Sequence, residues 1–444
     1  MKRYLHLSIL LLLLLSACSS AVTQIPVAAG KTEVIWYVRA NEDEQKWETS
    51  SVIPAFEKSN PGIRINLVVV PPNDFDIKMQ SMIAAGTPPD IWSHWGPSGF
   101  QDYVKRGLVA DLTPYIEKDN FDLSDFQPEV LNTYKEDGKI LGLPFISTGS
   151  FIFYNKDLLD KAGIAYPPSS WDDKTWTYNQ FLEMCKSLTN VTGDPATDVY
   201  GCNLALWPDG AYPLLWGQDI FPDSAYQTGF AEKSFLDDPN VIAAFQARQD
   251  ILWKLKVMPS PAVSDALSAD GDVFMSGKVA MNLTGGWGWW NYTAVKDFRW
   301  AAAALPYGAD GRKDVVFTDP WMMSSKTAHP NEAWTFLKFL TAPAQQESWM
   351  KLTGAPPVRV SLAETWYRQF PGMDPEQVKR VHLGALTYGR ESPHHMLVKY
   401  DQLNLVINTV TNLILSNQVT AAGSLPDAKK NLDNALVKIQ SEFK

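Results

Sequence analysis

Short runs of β-branched and aromatic residues alternate with stretches of helical period along most of the chain. The first run, residues 33–38 (EVIWYV), is followed by a helical stretch over 44–58 that stops at Asn60, Pro61 and Gly62. A second run, residues 63–70, ends at Pro71 and Pro72. Strand, helix and strand at this spacing predict a βαβ unit and therefore a parallel sheet. Residues 75–85 follow with helical period, and Gly86, Thr87, Pro88 and Pro89 break them before Asp90, Ile91 and Trp92. Another helix is expected over 96–107, and 108–112 lead into Thr113 and Pro114. This part of the chain is expected to be an α/β sandwich whose loops open at the strand ends.

Residues 140–155 (ILGLPFISTGSFIFYN) are two β-rich runs joined by Ser147, Thr148 and Gly149, and read as the chain crossing from one lobe to another. A short helix over 156–163 ends on a glycine, and Thr177 with Gln180 three residues on forms a capping box that opens the helix carrying Cys185. Residues 200–230 hold Trp207, Tyr212, Trp216 and Phe221 among glycines and prolines, the composition of an irregular segment lining something. Helices are expected at 240–255, 331–340, 344–351, 400–415 and 425–443, and a strand within 273–283. Two further apolar runs follow at 300–306 and 315–324, of which the second (VVFTDPWMMS) reads as the return crossing.

Residues 281–290 (MNLTGGWGWW) concentrate chemistry: Gly285, Gly286 and Gly288 are interleaved with Trp287, Trp289 and Trp290. Glycine permits sharp turns and close approach, while an indole offers a flat apolar face with one donor at its edge. Such a platform suits a sugar ring, whose faces are apolar and whose rim is hydroxyl. Three indoles within four residues cannot all point inward, so at least one is expected to face a cleft.

The N-terminus sets the compartment. Lys2 and Arg3 precede an apolar run over 7–15 that is too short for a membrane span of ~20 residues but fits a secretory signal. Leu15, Ser16, Ala17 and Cys18 resemble a bacterial lipobox, so cleavage is expected to remove residues 1–17 and leave lipid on Cys18, with 18–30 as a tether. Of the 444 residues 427 remain after that cut, and the loss of Lys2 and Arg3 moves the formal charge from −10 to −12. An acidic surface argues against nucleic acid or anionic lipid as a partner. Cys185 and Cys202 leave two readings open: a disulfide worth ~3 kcal/mol, or buried free thiols, since Cys185 shares a helical face with Phe181, Leu182 and Leu188.

Taken together, the lipobox, PPDIW (88–92), RGLVADL (106–112), LPFISTGSFIFYNKDLL (143–159), KVAMNLTGGW (278–287), AAAALP (301–306), HPNEAWTFLKFL (329–340) and GAPPVRVSL (354–362) resemble a bacterial extracellular solute-binding protein of an ABC importer. The family includes maltose-binding protein, and the motifs span nearly all of the mature chain in register. The resemblance implies an α/β, two-lobed periplasmic-binding-protein-like fold with hinge crossings and an inter-lobe cleft. One lobe is expected from 31–146 plus 318–353 and the other from 147–317 plus 354–444. It implies that 90–95 face the cleft from the first lobe, that Trp287 stacks on sugar from the second, and that Thr148 supplies a polar contact. Maltose-binding protein has an acidic residue where this chain has Thr148, a departure that bears on maltodextrin as ligand. The candidate ligand-binding residues are Trp36, Asp90, Trp92, Trp95, Thr148, Trp216, Gly286, Trp287, Trp321 and Arg390. For Trp92, Trp95 and Trp321 a core position competes with contact, for Asp90 a cap, and for Arg359 and Arg390 an ion pair.

The expected partners are a mono- or oligosaccharide and the transmembrane subunits of an ABC permease, with the protein a monomer held to the membrane by lipid on Cys18 and no cofactor or metal. The rival is a secreted lipoprotein glycoside hydrolase, which also uses carboxylates and tryptophan platforms. The sequence carries no HExxH, no G-x-S-x-G, no phosphate loop and no metal-type cluster, His394 and His395 being an isolated pair. A structural surface protein leaves the glycine and tryptophan concentration unexplained.

Overall fold

The computed structural model describes residues 30–93, 99–269 and 271–444. The signal, Cys18, almost all of the tether and Trp95 lie outside the described residues.

Strand β1 (Thr32–Arg39) pairs in parallel with β2 (Ile63–Val70) along all eight residues, from Thr32 opposite Ile63 to Arg39 opposite Val70. A parallel pair needs a crossover, and residues 42–59 supply it as a helix interrupted by one π turn at Glu48–Val52. On the other side of β1 lies β3 (Ile91–Trp92), again parallel. Helix α1 (Phe75–Ala84) connects β2 to β3, and α2 (Phe100–Lys105) follows it. Both faces of this sheet are covered, and β1 shows it by its alternation. Val34, Trp36 and Val38 enter one hydrophobic cluster, while Tyr37 enters the other with Val70, Phe75 and Trp92.

The crossing expected at 147–149 is one residue long. Strand β4 (Leu143–Thr148) and strand β5 (Ser150–Asn155) are separated by Gly149 alone and belong to different sheets. A side chain at Gly149 would collide with the Asp314 carboxylate and crowd Ala385, so the bare backbone is what lets the chain turn there. The second sheet runs β8-β5-β7-β6, with β6 (Tyr200–Ala205), β7 (Val279–Gly285) and β8 (Trp300–Ala303). Thr177 and Gln180 form the expected capping box on α3 (Tyr178–Leu188).

The chain re-enters the larger sheet as β9 (Asp314–Met323), the run expected to make the return crossing, which pairs antiparallel with both β4 and β3. Its first residues pair in parallel with β10 (Gly389–Glu391), so the larger sheet reads β10-β9-β3-β1-β2 with β4 on β9. After β10 come the short α4 (Pro393–Met396), then α5 (Tyr400–Leu415) and α6 (Ala421–Glu442). Leu403, Ile407, Val410 and Ile414 on α5 and Leu425, Leu432, Leu436 and Ile439 on α6 are buried at helical spacing. Cys185 and Cys202 are buried free thiols. Among the described residues no helix is long and apolar enough to cross a membrane.

Candidate functional site

Where β7 ends, the chain turns through Gly286 and Trp287 into one helical turn, Gly288–Asn291. A Cβ on Gly286 would collide with Thr148 Oγ1, so glycine here is what lets the turn press against the crossing strand. The three indoles then part company. Trp289 points inward, fully buried and edge-on to Phe151 (5.5 Å), Phe153 (5.4 Å) and Trp366 (5.5 Å). Trp287 and Trp290 remain half-buried and line a cavity of about 330 Å³ between the two sheets.

Six further segments of the chain wall this cavity. Arg39 ends β1 and Ala40 and Asn41 follow it, while Pro72 and Phe75 follow β2, so the first sheet presents the carboxyl ends of its parallel strands, where ligands of open α/β sheets bind. Thr148 and Ile146 come from β4, Phe317 and Asp319 from β9. Trp207, just past β6, faces them from the second sheet, and His394 and His395 come from α4. Gly99, at the head of α2, abuts the backbone of this histidine pair and so joins the first sheet's layer to the C-terminal segment.

The aromatic surface is continuous. Phe317 lies 5.3 Å from Trp287 and 6.0 Å from Trp207, the latter nearly parallel at 30°. Trp207 is 43% exposed, much for an indole, and its other neighbour is the His394 ring at 4.5 Å. Against this surface stands Thr148, whose buried Oγ1 has no hydrogen-bond partner among the described residues. A buried hydroxyl without a partner costs free energy that a ligand hydroxyl recovers.

The polar end is built around charge. Arg39 donates Nε to both oxygens of Glu44 (3.1 and 2.9 Å) and Nη2 to Oε1 (2.6 Å). Burial alone lowers the Arg39 pKa, but the charges of Glu44, Asp319 and Glu48 outweigh it and the net direction is up. Burial pushes Glu48 up to about 8, helped by the Glu44 charge and opposed by Arg39. Beneath the cleft, Glu391 accepts from Thr318 N (3.1 Å) and is hydrogen-bonded to His395 Nδ1. Burial raises Glu391 to about 8 against its hydrogen bonds with Thr318 and Ser392, and burial drives His395 well down. Burial thus disfavours charge on both partners, favouring the protonated carboxyl and the neutral imidazole.

The structure brings Thr148, Gly286 and Trp287 together. It places six other sequence candidates away from the cavity, each for a physical reason. Trp36 and Trp321 pack on each other at 5.4 Å, with Phe336 5.1 Å from Trp36, in the core of the first layer. Trp92 is 1% exposed, edge-on to Tyr103 at 5.6 Å. Asp90 accepts from Ile35 N (2.7 Å) and from Thr327 Oγ1, tying β1 to the segment after β9. Trp216 is buried against Tyr178 at 4.3 Å. Arg390 pairs with Asp219 and Asp223 and lies 3.9 Å over the Tyr226 ring, with burial lowering it to about 10. Arg359 forms the expected ion pair, with Asp125 at 3.8 Å, while its Nε donates to Thr341 O (3.1 Å) and its guanidinium covers the Phe126 ring at 3.7 Å. Trp207, Trp290, Phe317, Asp319 and the histidines were not among the candidates. Trp207 carried a signal, lying in the aromatic segment 200–230, whereas Asp319 and His394 reach the cleft through long-range pairing that no local pattern announces.

Two sheets joined by paired crossings over a lined cavity define a two-lobed binding fold. Residues 39–347 match the family model described as bacterial extracellular solute-binding protein, and the chain belongs to that family. It is 28% identical over 309 residues to a binding protein of Brucella abortus (strain 2308), a match covering 64% of this chain and 66% of the relative. The chain thus spans just under two thirds of the length of the first curated relatives it matches. A multiple sugar-binding protein of Streptococcus mutans is 23% identical over 373 residues, covering 77% of this chain and 79% of the relative. Among solved structures, an ABC substrate-binding protein of Listeria monocytogenes in complex with cycloalternan matches with a TM-score of 0.77 and 25% identity, covering 91% of this chain and 99% of that one. Maltose-bound MalE3 of T. maritima matches in fold, with a TM-score of 0.69, 20% identity and coverage of 91% and 99%.

Proposed function

We propose that this protein captures a mono- or oligosaccharide outside the cytoplasmic membrane and delivers it unaltered to the transmembrane subunits of an ABC importer. The observation that carries the reading is the aromatic surface of Trp287, Phe317 and Trp207 facing the unpartnered Thr148 hydroxyl between two sheets. It offers apolar faces for sugar rings and a polar group for their rims. Support comes from relatives whose names give their ligands: the multiple sugar-binding protein, and the Listeria structure with cycloalternan. The lobes are 31–146 with 318–353 and 147–317 with 354–444, and the crossings at Gly149 and along β9 are the hinge. Ligand that touches both lobes shifts the population toward the closed form, and that form docks on the permease. The protein acts as a monomer, held at the membrane surface by lipid on Cys18.

Hydrolysis fits the cleft poorly. A glycosidase needs two carboxyl groups flanking the scissile bond. Asp319 is the one carboxylate among the described residues lining the cavity, while Glu44 is committed to Arg39 and Glu391 lies with His395. A thermal-shift screen across mono- and oligosaccharides tests the proposal, because ligand bound only by the folded state raises Tm. A saturable rise with at least one saccharide is expected; no rise with any, or turnover of the sugar, contradicts it.

A further inference from the structure

The cleft shares a wall with a second groove. Pro72 lines both the cleft and a second, larger groove of about 1130 Å³. The two walls step onward in the same sense. On the first layer Phe75 faces the cleft and its neighbour Asp76 the groove, followed along α1 by Gln80. On the opposite side His395 faces the cleft, and Lys399, Asp401 and Gln402, at the head of α5, face the groove.

The groove's chemistry changes with distance from the tryptophans. Its inner wall carries Asp102, only 3% exposed, whose Oδ2 accepts from Arg106 (3.1 Å) and whose buried Oδ1 has no partner among the described residues. Arg106 also donates to Gln80 (2.8 Å), so one guanidinium holds a strip of acceptors in place. Burial pushes the Asp401 carboxyl up, its Gln402 backbone contact opposes this, and the Asp102 charge adds to the rise. Lys399 is paired with Glu442. Walls rich in acceptors, with their cations already engaged, favour a neutral occupant that brings many hydroxyl donors.

We propose that the groove between α1 and the head of α5 is an extension of the ligand site, and that it holds the further units of an oligosaccharide whose first rings stack in the tryptophan cleft. This rests on the carbohydrate-binding reading above and adds chain length to it: the protein prefers oligosaccharides of three or more units.

Calorimetric titration with three size series tests it: melibiose, raffinose and stachyose; maltose to maltotetraose; mannobiose to mannotetraose. Within a series that binds, affinity is expected to rise at least tenfold from the disaccharide to the tetrasaccharide. In the double variant Gln80→Ala, Gln402→Ala, with its fold checked by circular dichroism, that ratio is expected to fall below threefold. Equal affinity along a binding series, or an unchanged ratio in the double variant, overturns the extension and leaves the cleft reading standing. Absence of binding in all three series, while a monosaccharide from the thermal-shift screen binds, overturns the extension alone; absence of binding by every saccharide in that screen overturns the cleft reading and the extension with it.

Discussion

Two tryptophan clusters sit on either side of β9 and use the same residue type for opposite ends. Around Trp36, rings from β1, β9 and a distant helix close on one another, and Trp36 and Trp321 are 0% and 2% exposed. Around Phe317, Trp287 and Trp207 meet on one side only and leave a cavity on the other. Phe317 and Trp321 are four residues apart on one strand, and the pairing of β9 with β4 slips by a residue between Asp319 and Pro320. Residue type does not decide which indole binds a ligand. What decides is whether the opposite face of the strand finds a partner.

The largest expected effect falls on the closed cluster. Trp36→Ala is expected to destabilise the fold by about 3–5 kcal/mol, read as a lower Tm or denaturant midpoint, because its neighbours cannot collapse into the space left. A loss below about 1 kcal/mol would break the contrast with the cleft. Next comes Gly286→Ala, which drives a methyl into Thr148 Oγ1 and is expected to cost ~1–3 kcal/mol of stability and to weaken saccharide binding as the turn moves off the crossing. Trp287→Ala sharpens the comparison from the other side: the half-buried indole is expected to cost at least ~1 kcal/mol of binding free energy and less stability than Trp36→Ala.

A pH dependence probes the first layer on a separate axis. Glu48, 1% exposed, has a folded pKa near 8, above its unfolded value, so the folded state holds its proton more tightly. Its contribution to stability is full below the unfolded value and is lost as pH rises through about 8. Glu48→Gln removes that loss, so the Tm of the variant minus that of the parent is expected to grow from pH 5 to pH 8 and then level off. A constant difference would show that Glu48 does not titrate in this window.

Much of the frame was legible because it depends on local pattern. The β1–helix–β2 unit was readable from alternation and from Asn60, Pro61 and Gly62, and the crossing from two β-rich runs joined at Gly149. The turn at Gly286 and Trp287 was readable because glycines among indoles have few other uses. What stayed hidden depends on partners far away in sequence. Trp36 is core because of Phe336, Trp216 because of Tyr178, and Arg390 is bound by Asp219 and Asp223, more than 160 positions away. Asp319 and His394 reach the cleft only once β9 has paired with β4 and α4 has met the head of α2.

The most direct test of the central claim is a tryptophan-fluorescence titration of the parent protein and of Trp287→Ala with a saccharide found by thermal shift, with the sugar analysed afterwards by chromatography. A saturable signal in the parent, a weaker affinity in the variant and sugar recovered intact are the predicted result. Cleaved sugar, or identical binding by both proteins, would contradict it.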